Sequence, residues 1–160
     1  MAEELIITGE SKKDKYTSLI PQIKALTEGE NDFIANLSNS SSAIKYGMNF
    51  FWVGFYLIKN DELVLAPFQG TIACTRIKKG KGVCGTCWET GKTQIVDDVD
   101  LFPGHIACSS ASKSEIVIPI FNSKNEIIGV LDVDDDKYAS FDEIDKLYLE
   151  EICKLIGTWI

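Results

Sequence analysis

The chain has 160 residues, the length of one ordinary domain, so we expect residues 1–160 to form a single domain. Hydrophobic residues make up 45% of the chain and charged residues 25%, a balance that excludes a disordered or fibrous protein. The formal net charge of −8 argues against nucleic acid and anionic membrane surfaces as partners, because both carry negative charge.

The N-terminal sequence and the apolar runs indicate the compartment in which the protein works. The first residues are acidic and lack the basic flank and apolar stretch of a secretory signal. The longest apolar run, residues 50–58, is far shorter than the ~20 residues of a membrane-spanning helix. We therefore expect a cytoplasmic protein whose thiols stay reduced. There, packing, metal or redox chemistry explains the five cysteines better than a static disulfide framework does.

Two helices are predicted at the start of the chain. Ser11 followed by Asp14 is a helix-start signal, and apolar residues then recur at helical spacing. We expect Pro21 to kink or split this first helix, because proline lacks an N–H and clashes with the preceding turn. A second helical pattern runs from Phe33 to Ile44.

The remaining regular elements are strands and one final helix. Residues 51–58 and 63–65 read as a hairpin, and residues 115–121 and 126–133 read as a second hairpin. Ser140 and Glu143 match a capping box in front of a strongly amphipathic helix. Helices at both ends of a mainly antiparallel sheet predict an α+β fold with the helices packed on one face.

The segment between the hairpins, residues 70–114, has few periodic signals and holds most of the cysteines. Such loop-rich segments usually carry function. Cys84 and Cys87 form a CxxC pair, which could be joined on paper by His105 and Cys108 into a zinc site. A structural zinc site commonly uses two such pairs, and a chain with this much core does not need one, so we expect no metal.

A group of acidic residues follows this segment. Glu115 starts a predicted strand, while Asp132 and Asp134 are two residues apart and therefore lie on the same side of another. Each acid alone fits a solvated turn or strand end, and each isolated cysteine fits core packing. Their combination with Cys74, Cys84 and Cys108 indicates a site.

Several motifs occur in order along the chain: Phe51-Trp-Val-Gly-Phe-Tyr, Pro67-Phe-Gln-Gly, Ile72-Ala-Cys-Thr-Arg-Ile, Gly82-Val-Cys-Gly-Thr, Gly104-His-Ile-Ala-Cys, Ser114-Glu-Ile-Val-Ile-Pro and Gly129-Val-Leu-Asp-Val-Asp. Together they resemble the free methionine-(R)-sulfoxide reductases, a catalytic branch of the GAF domains. The resemblance spans nearly the whole chain. It implies a single GAF-like domain with a six-stranded, mainly antiparallel sheet and the N- and C-terminal helices packed on one face.

The resemblance also implies residue roles. It makes Cys108 the residue that attacks the substrate, with Cys84 and Cys74 as partners in disulfide recycling. The implied substrate pocket has an acidic part and an aromatic wall, formed by Glu115, Asp132, Asp134, Trp52 and Tyr56. Cys87 and Cys153 receive no role, and no cofactor or metal is implied. Which cysteine pair forms the recycling disulfide stays open, and Cys84 is the second choice as nucleophile.

The residue types suit this chemistry. A thiolate can attack the electrophilic sulfoxide sulfur if a nearby acid protonates the departing oxygen, which gives methionine and a cysteine sulfenic acid. A second thiol converts the sulfenic acid to a disulfide, and we expect thioredoxin to reduce it. An acidic pocket would raise a thiol's pKa, so the acids must be partly protonated or neutralised by the substrate ammonium. The alternative function is a GAF-type ligand or redox sensor without turnover, and a homodimer is compatible with the sequence.

Overall fold

The computed structural model describes residues 4–105 and 110–160. Its elements, in chain order, are α1 (Lys12–Thr27), α2 (Phe33–Met48), β1 (Trp52–Lys59), β2 (Glu62–Gln69), β3 (Arg76–Lys78), α3 (Gly82–Thr90), β4 (Gln94–Val96), a 3-10 turn (Val99–Leu101), β5 (Ser114–Phe121), β6 (Ile127–Asp135) and α4 (Glu143–Gly157). Both predicted hairpins are present, and α3 is an element that the sequence patterns did not predict. Among the described residues, no helix is long and apolar enough to cross a bilayer.

The six strands form one sheet in the order β3-β2-β1-β6-β5-β4. Every neighbouring pair is antiparallel. The β1–β2 hairpin turns at Asn60 and Asp61, both with positive φ, as a two-residue hairpin turn requires. The two hairpins meet through β1 and β6 at the centre of the sheet. The predicted six-stranded antiparallel sheet is confirmed.

Three helices cover one face of the sheet. The apolar sides of α1, α2 and α4 pack with alternate residues of the central strands, such as Val53 and Phe55 of β1 and Ile116 and Ile118 of β5. The predicted packing of the terminal helices on one face is therefore confirmed, with α2 beside them. The opposite face carries α3 and a second apolar cluster that includes Val83. Since side chains alternate along a strand, β1 supplies both clusters.

The first helix is continuous through its proline. Ser11 and Asp14 form the predicted capping box. Pro21 lies inside α1, so the prediction that it splits the helix is wrong. An internal proline costs a helix ~3 kcal/mol. Burial of Leu19 and Ile23 in the apolar core offsets that cost, because tertiary packing of an apolar face supplies most helical stability in proteins.

The last helix begins two residues later than the predicted cap. Asp142, not Ser140, is the N-cap, and its carboxylate accepts hydrogen bonds from the backbone of Ile144 and Asp145. Asp145 completes the capping box and also accepts a 2.8 Å hydrogen bond from the Tyr16 hydroxyl. Lys12 pairs with the same buried carboxylate. These contacts join the starts of α1 and α4, which a local capping pattern could not indicate.

Candidate active site

The candidate site lies on the face of the sheet covered by α3. Trp52 pairs with Asp134 across β1 and β6, and Glu115 pairs with Asp134 across β5 and β6. Asp132, two residues along β6, pairs with Gly54. Alternation along the strands therefore places these side chains on one face, as predicted for Asp132 and Asp134.

A cavity opens above these residues. Its empty volume, which includes space open to solvent, is about 540 Å³. Its lining includes all five predicted substrate-binding residues and one predicted catalytic cysteine: Trp52, Tyr56, Cys84, Glu115, Asp132 and Asp134. Strands β1, β5 and β6 thus supply most of the chemistry, and α3 closes the site.

The aromatic wall is held by stacking and hydrogen bonds. The ring of Trp52 stacks on Phe68, with centroids 5.4 Å apart, and lies 6.4 Å from the ring of Tyr56. The indole Nε1 donates to the backbone oxygen of Thr71 at 2.9 Å. The Tyr56 hydroxyl donates to the backbone oxygen of Cys74 at 2.9 Å. Both rings are therefore fixed in place before a ligand arrives.

Two glycines leave room for the indole. A Cβ at Gly54 would lie 2.2 Å from Cη2 of Trp52, and a Cβ at Gly70 would lie 2.3 Å from its Cδ1. Gly70 also has a φ of +144°, which side chains rarely adopt. Any larger residue at either position would push Trp52 away from its present position.

The acidic part of the site is a tight, buried cluster. Glu115 and Asp132 are only 6% and 7% exposed. The Cys84 thiol donates to Oε1 of Glu115, with Sγ and Oε1 3.9 Å apart. Ligand atoms from Cys84, Glu115 and Asp132 all lie within 4.8 Å of one another. Oδ1 of Asp132 is buried and has no hydrogen-bond partner among the described residues.

Burial changes the protonation of this cluster. It raises the pKa of Asp132 to about 6, although hydrogen bonds with Cys84 and Glu115 act in the opposite direction. Burial raises the pKa of Glu115 well above its usual value, and the neighbouring charge of Asp132 adds to the shift. Burial and Asp132 raise the pKa of Asp134 as well. At neutral pH the cluster therefore retains protons, and Glu115 is the acid we expect to hold one.

Cys84 remains a neutral thiol in this setting. Burial raises its pKa well above the ordinary value, and the nearby Asp132 and Glu115 carboxylates raise it further. A thiolate, not a thiol, is the nucleophile in cysteine chemistry. The raised pKa of its thiol therefore argues against Cys84 as the attacking residue.

The CxxC pair is split between two environments. Cys84 lines the cavity, whereas Cys87, fully buried one turn further along α3, donates to the backbone oxygen of Val117. His105 lines the cavity. Within residues 4–105 and 110–160, the metal-capable group that contains Cys84 includes neither Cys87 nor His105. The described part of the chain therefore gives no support to a CxxC zinc site.

The other predicted cysteines stand as follows. Cys74 takes part in a disulfide, and Cys84, Cys87 and Cys153 carry free thiols. Cys108, the predicted nucleophile, lies outside the described residues. Cys153 is 2% exposed on α4, in the core on the opposite face of the sheet, as expected for a packing residue.

The first residues of α3 are site residues that the sequence patterns missed. Lys81 is the N-cap, its side chain makes no capping hydrogen bond within the described residues, and it lines the cavity together with Gly82 and Val83. The free N–H groups at a helix start favour an anion. A Cβ at Gly85 would lie 2.4 Å from the backbone oxygen of Lys78, so this glycine lets the helix approach β3 closely. The apolar residues of α3 lie on one side of the helix, but its two glycines obscure this pattern in the sequence.

Comparison with known proteins places this architecture in a family. The GAF domain model matches residues 41–160. The chain is 63% identical over 159 residues to GAF domain-containing protein A of Dictyostelium discoideum, which covers 99% of this chain and 100% of that protein. It is 43% identical over 155 residues to the free methionine-R-sulfoxide reductase of Saccharomyces cerevisiae, covering 92% of this chain and 86% of the relative.

A solved structure agrees closely with the fold. The X-ray structure of free methionine-R-sulfoxide reductase from Neisseria meningitidis, in complex with its substrate, matches with a TM-score of 0.95 and 49% identity. The match covers 98% of this chain and 94% of that one. The chain therefore belongs to the GAF domain family, in its branch of free methionine-R-sulfoxide reductases. The family resemblance carried by the sequence motifs is confirmed.

Proposed function

We propose that this chain reduces free methionine (R)-sulfoxide to methionine. The observation that carries the proposal is the buried Cys84–Glu115–Asp132 cluster beside the aromatic wall of Trp52 and Tyr56. Relatives at 43% and 45% identity are named free methionine-R-sulfoxide reductases, which supports the substrate and the epimer.

The cavity offers a partner for each part of a free amino acid. The carboxylates of Asp132 and Asp134 suit the α-ammonium, which a peptide-bound residue lacks. Oδ1 of Asp132, which has no hydrogen-bond partner in the described part of the chain, can accept from it. The N–H groups at the start of α3 suit the α-carboxylate. The Trp52 ring suits the apolar end of the side chain.

The proposed reaction begins with Cys108. Its thiolate attacks the sulfoxide sulfur, and the protonated Glu115 delivers a proton to the sulfoxide oxygen. The attack forms a bond between the two sulfurs and leaves the protonated oxygen on the substrate sulfur. Transfer of this oxygen to the Cys108 sulfur then breaks both the sulfur–oxygen bond of the substrate and the new sulfur–sulfur bond, so that Cys108 becomes a sulfenic acid and methionine leaves. The raised pKa of Glu115 supports the acid role, because a carboxyl group at its ordinary pKa would be ionised at neutral pH.

We propose Cys74, rather than Cys84, as the thiol that resolves the sulfenic acid. The two sulfurs would form a disulfide and release the oxygen as water. The disulfide state of Cys74 and the buried, neutral thiol of Cys84 support this assignment. Cys84 then has a positioning role through its hydrogen bond to Glu115.

The test is an assay of the purified protein with separated epimers. With dithiothreitol as reductant, we expect methionine release from the free (R)-sulfoxide and none from the (S)-sulfoxide. No release from either epimer would contradict the proposal and favour the non-catalytic GAF sensor. Such a sensor would bind the ligand without needing an acid that keeps its proton at neutral pH, so the present site favours the enzyme.

The enzyme also needs an electron donor that reduces its disulfide after each turnover. We propose thioredoxin as the reductant in a cytoplasmic setting, since disulfide recycling needs a dithiol donor. Replacement of dithiothreitol by thioredoxin, its reductase and NADPH should sustain multiple turnovers. Sedimentation velocity will determine whether the chain is a monomer or a homodimer.

A further inference from the structure

The same buried cluster combines a thiol with two carboxyl groups, which is more than an ammonium-binding pocket needs. We propose that Cys84, Glu115 and Asp132 bind a borderline or soft divalent cation such as Zn²⁺ or Cd²⁺, and that the ion excludes the substrate. Binding of the cation depends only on this geometry. Exclusion of methionine sulfoxide rests on the proposed function.

The spacing suits a single ion. In tetrahedral zinc sites, Zn–S distances of about 2.3 Å and Zn–O distances of about 2.0–2.2 Å keep the ligand atoms ~3.5 Å apart. Sγ of Cys84 lies 3.9 Å from Oε1 of Glu115, and the whole group lies within 4.8 Å. Small side-chain rotations would therefore close the three atoms around one ion. A water or a cavity group could fill the fourth position.

A second observation points to a cationic ligand. Asp132 is only 7% exposed and lines the cavity. Its Oδ1 has no hydrogen-bond partner among the described residues. Buried carboxylates are normally paired or coordinate a metal. The adjacent Cys84 sulfur then selects the kind of cation. Thiolates favour Zn²⁺ and softer ions, whereas Mg²⁺ and Ca²⁺ require more oxygen ligands than this cluster supplies.

Cobalt is the probe for the first test, because Co²⁺ bound to a thiolate has a charge-transfer absorption band. Reduced, desalted protein is titrated anaerobically with CoCl₂. We expect the band in the parent protein and its loss in Cys84→Ser. The matched control is Cys87→Ser, another buried cysteine on α3, which should keep the band. Circular dichroism confirms that each variant is folded.

Two outcomes would overturn the metal site. One is the absence of the band from the parent protein. The other is a failure of the two cysteine variants to differ, either because the band survives in Cys84→Ser or because it disappears equally in Cys87→Ser. Asp132→Asn gives a second measurement if Cys84→Ser fails to fold. Loss of an outer partner of a metal ligand already costs about 10–100-fold in affinity, so loss of a direct ligand should cost at least ~100-fold. Unchanged cobalt affinity in Asp132→Asn would also contradict the site.

Exclusion of the substrate is tested separately. The Cys108→Ser variant should bind free methionine (R)-sulfoxide without reducing it, so the compound should displace Co²⁺ and diminish the band. A band that persists at saturating sulfoxide would overturn the exclusion. The methionine-release assay of the metal-free parent protein reports on the proposed function alone, so the two failures are distinguishable.

Discussion

The thiol of Cys84 and the carboxyl group of Glu115 lie side by side in the wall of the cavity, with Sγ 3.9 Å from Oε1. Both groups are buried, and burial raises the pKa of each. Burial and the neighbouring charge of Asp132 keep Glu115 protonated and Cys84 neutral in the absence of substrate, although the hydrogen bond from Cys84 by itself lowers the pKa of Glu115. Glu115 can therefore act as an acid in this site, whereas the neutral thiol of Cys84 cannot act as the nucleophile. Another residue must supply the nucleophile.

The first prediction concerns the proton donor. Glu115→Gln should lower kcat by ~100-fold or more, because general acid catalysis contributes about 10²–10⁴. Since the pKa of Glu115 is raised, the parent activity should hold at neutral pH and fall as the pH rises through that raised pKa. A pH profile of kcat/KM checks this, with Gln94→Glu, at a half-buried position on the neighbouring strand, as the control. Glu115→Gln should lose the alkaline decline; an unchanged profile would show that another group supplies the proton.

The second prediction concerns stability and pH. The pKa of Asp132 is raised from 3.8 to about 6 in the folded protein. A raised carboxyl pKa means that stability is fully present below the unfolded pKa and is lost as the pH rises through about 6. Asp132→Asn should therefore stabilise the substrate-free protein at pH 7.5, by on the order of 1–3 kcal/mol, and less at pH 5.

Thermal melts of this variant at both pH values provide the measurement. Asp136→Asn, which alters an exposed residue just beyond the end of β6, is the matched control and should show no such difference. Equal shifts in melting temperature at pH 5 and pH 7.5 would contradict a raised pKa at Asp132.

The third prediction concerns substrate choice. N-acetylation of methionine sulfoxide removes the ammonium and leaves the Asp132 and Asp134 carboxylates without their partner. An unsatisfied buried polar group costs ~1–3 kcal/mol, so kcat/KM should fall by about tenfold to a hundredfold or more. Kinetics on free and N-acetyl (R)-sulfoxide check the ratio, which should shrink in Asp134→Asn. Similar rates on the two compounds would remove the acids from ammonium recognition.

The fourth prediction concerns the aromatic wall. Gly54→Ala places a methyl group 2.2 Å from the Trp52 ring, so the ring must shift. We expect a higher KM and a loss of stability of ~1–3 kcal/mol from overpacking. In a Trp52→Leu background the same substitution should cost less, because the clash with the indole is relieved and only the one with Cβ of Phe68, 2.5 Å away, remains. Equal costs in both backgrounds, measured by denaturant unfolding, would show that the clash is not with Trp52.

The sequence predicted much of this arrangement because its signals were local. The two-residue spacing of Asp132 and Asp134 placed both acids on one side of β6. Trp52 and Tyr56 came from the family resemblance and not from a strand pattern. The sequence could not predict α3, because its glycines hide the helical pattern and its packing against Val117 is a long-range contact. The predicted start of α4 at Ser140 was wrong because this cap, too, depends on a long-range contact. Its cap depends on contacts of Asp145 with α1, far away in the chain.

Single-turnover release of methionine tests the central claim that Cys108 is the nucleophile. Reduced protein without external reductant is mixed with excess free methionine (R)-sulfoxide, and methionine is quantified per enzyme. Cys108→Ser should release none, whereas Cys74→Ser and Cys84→Ser should each release about one equivalent, because neither thiol takes part before the sulfenic acid forms. Methionine release by Cys108→Ser, or its loss in Cys84→Ser with the fold intact, would contradict this account.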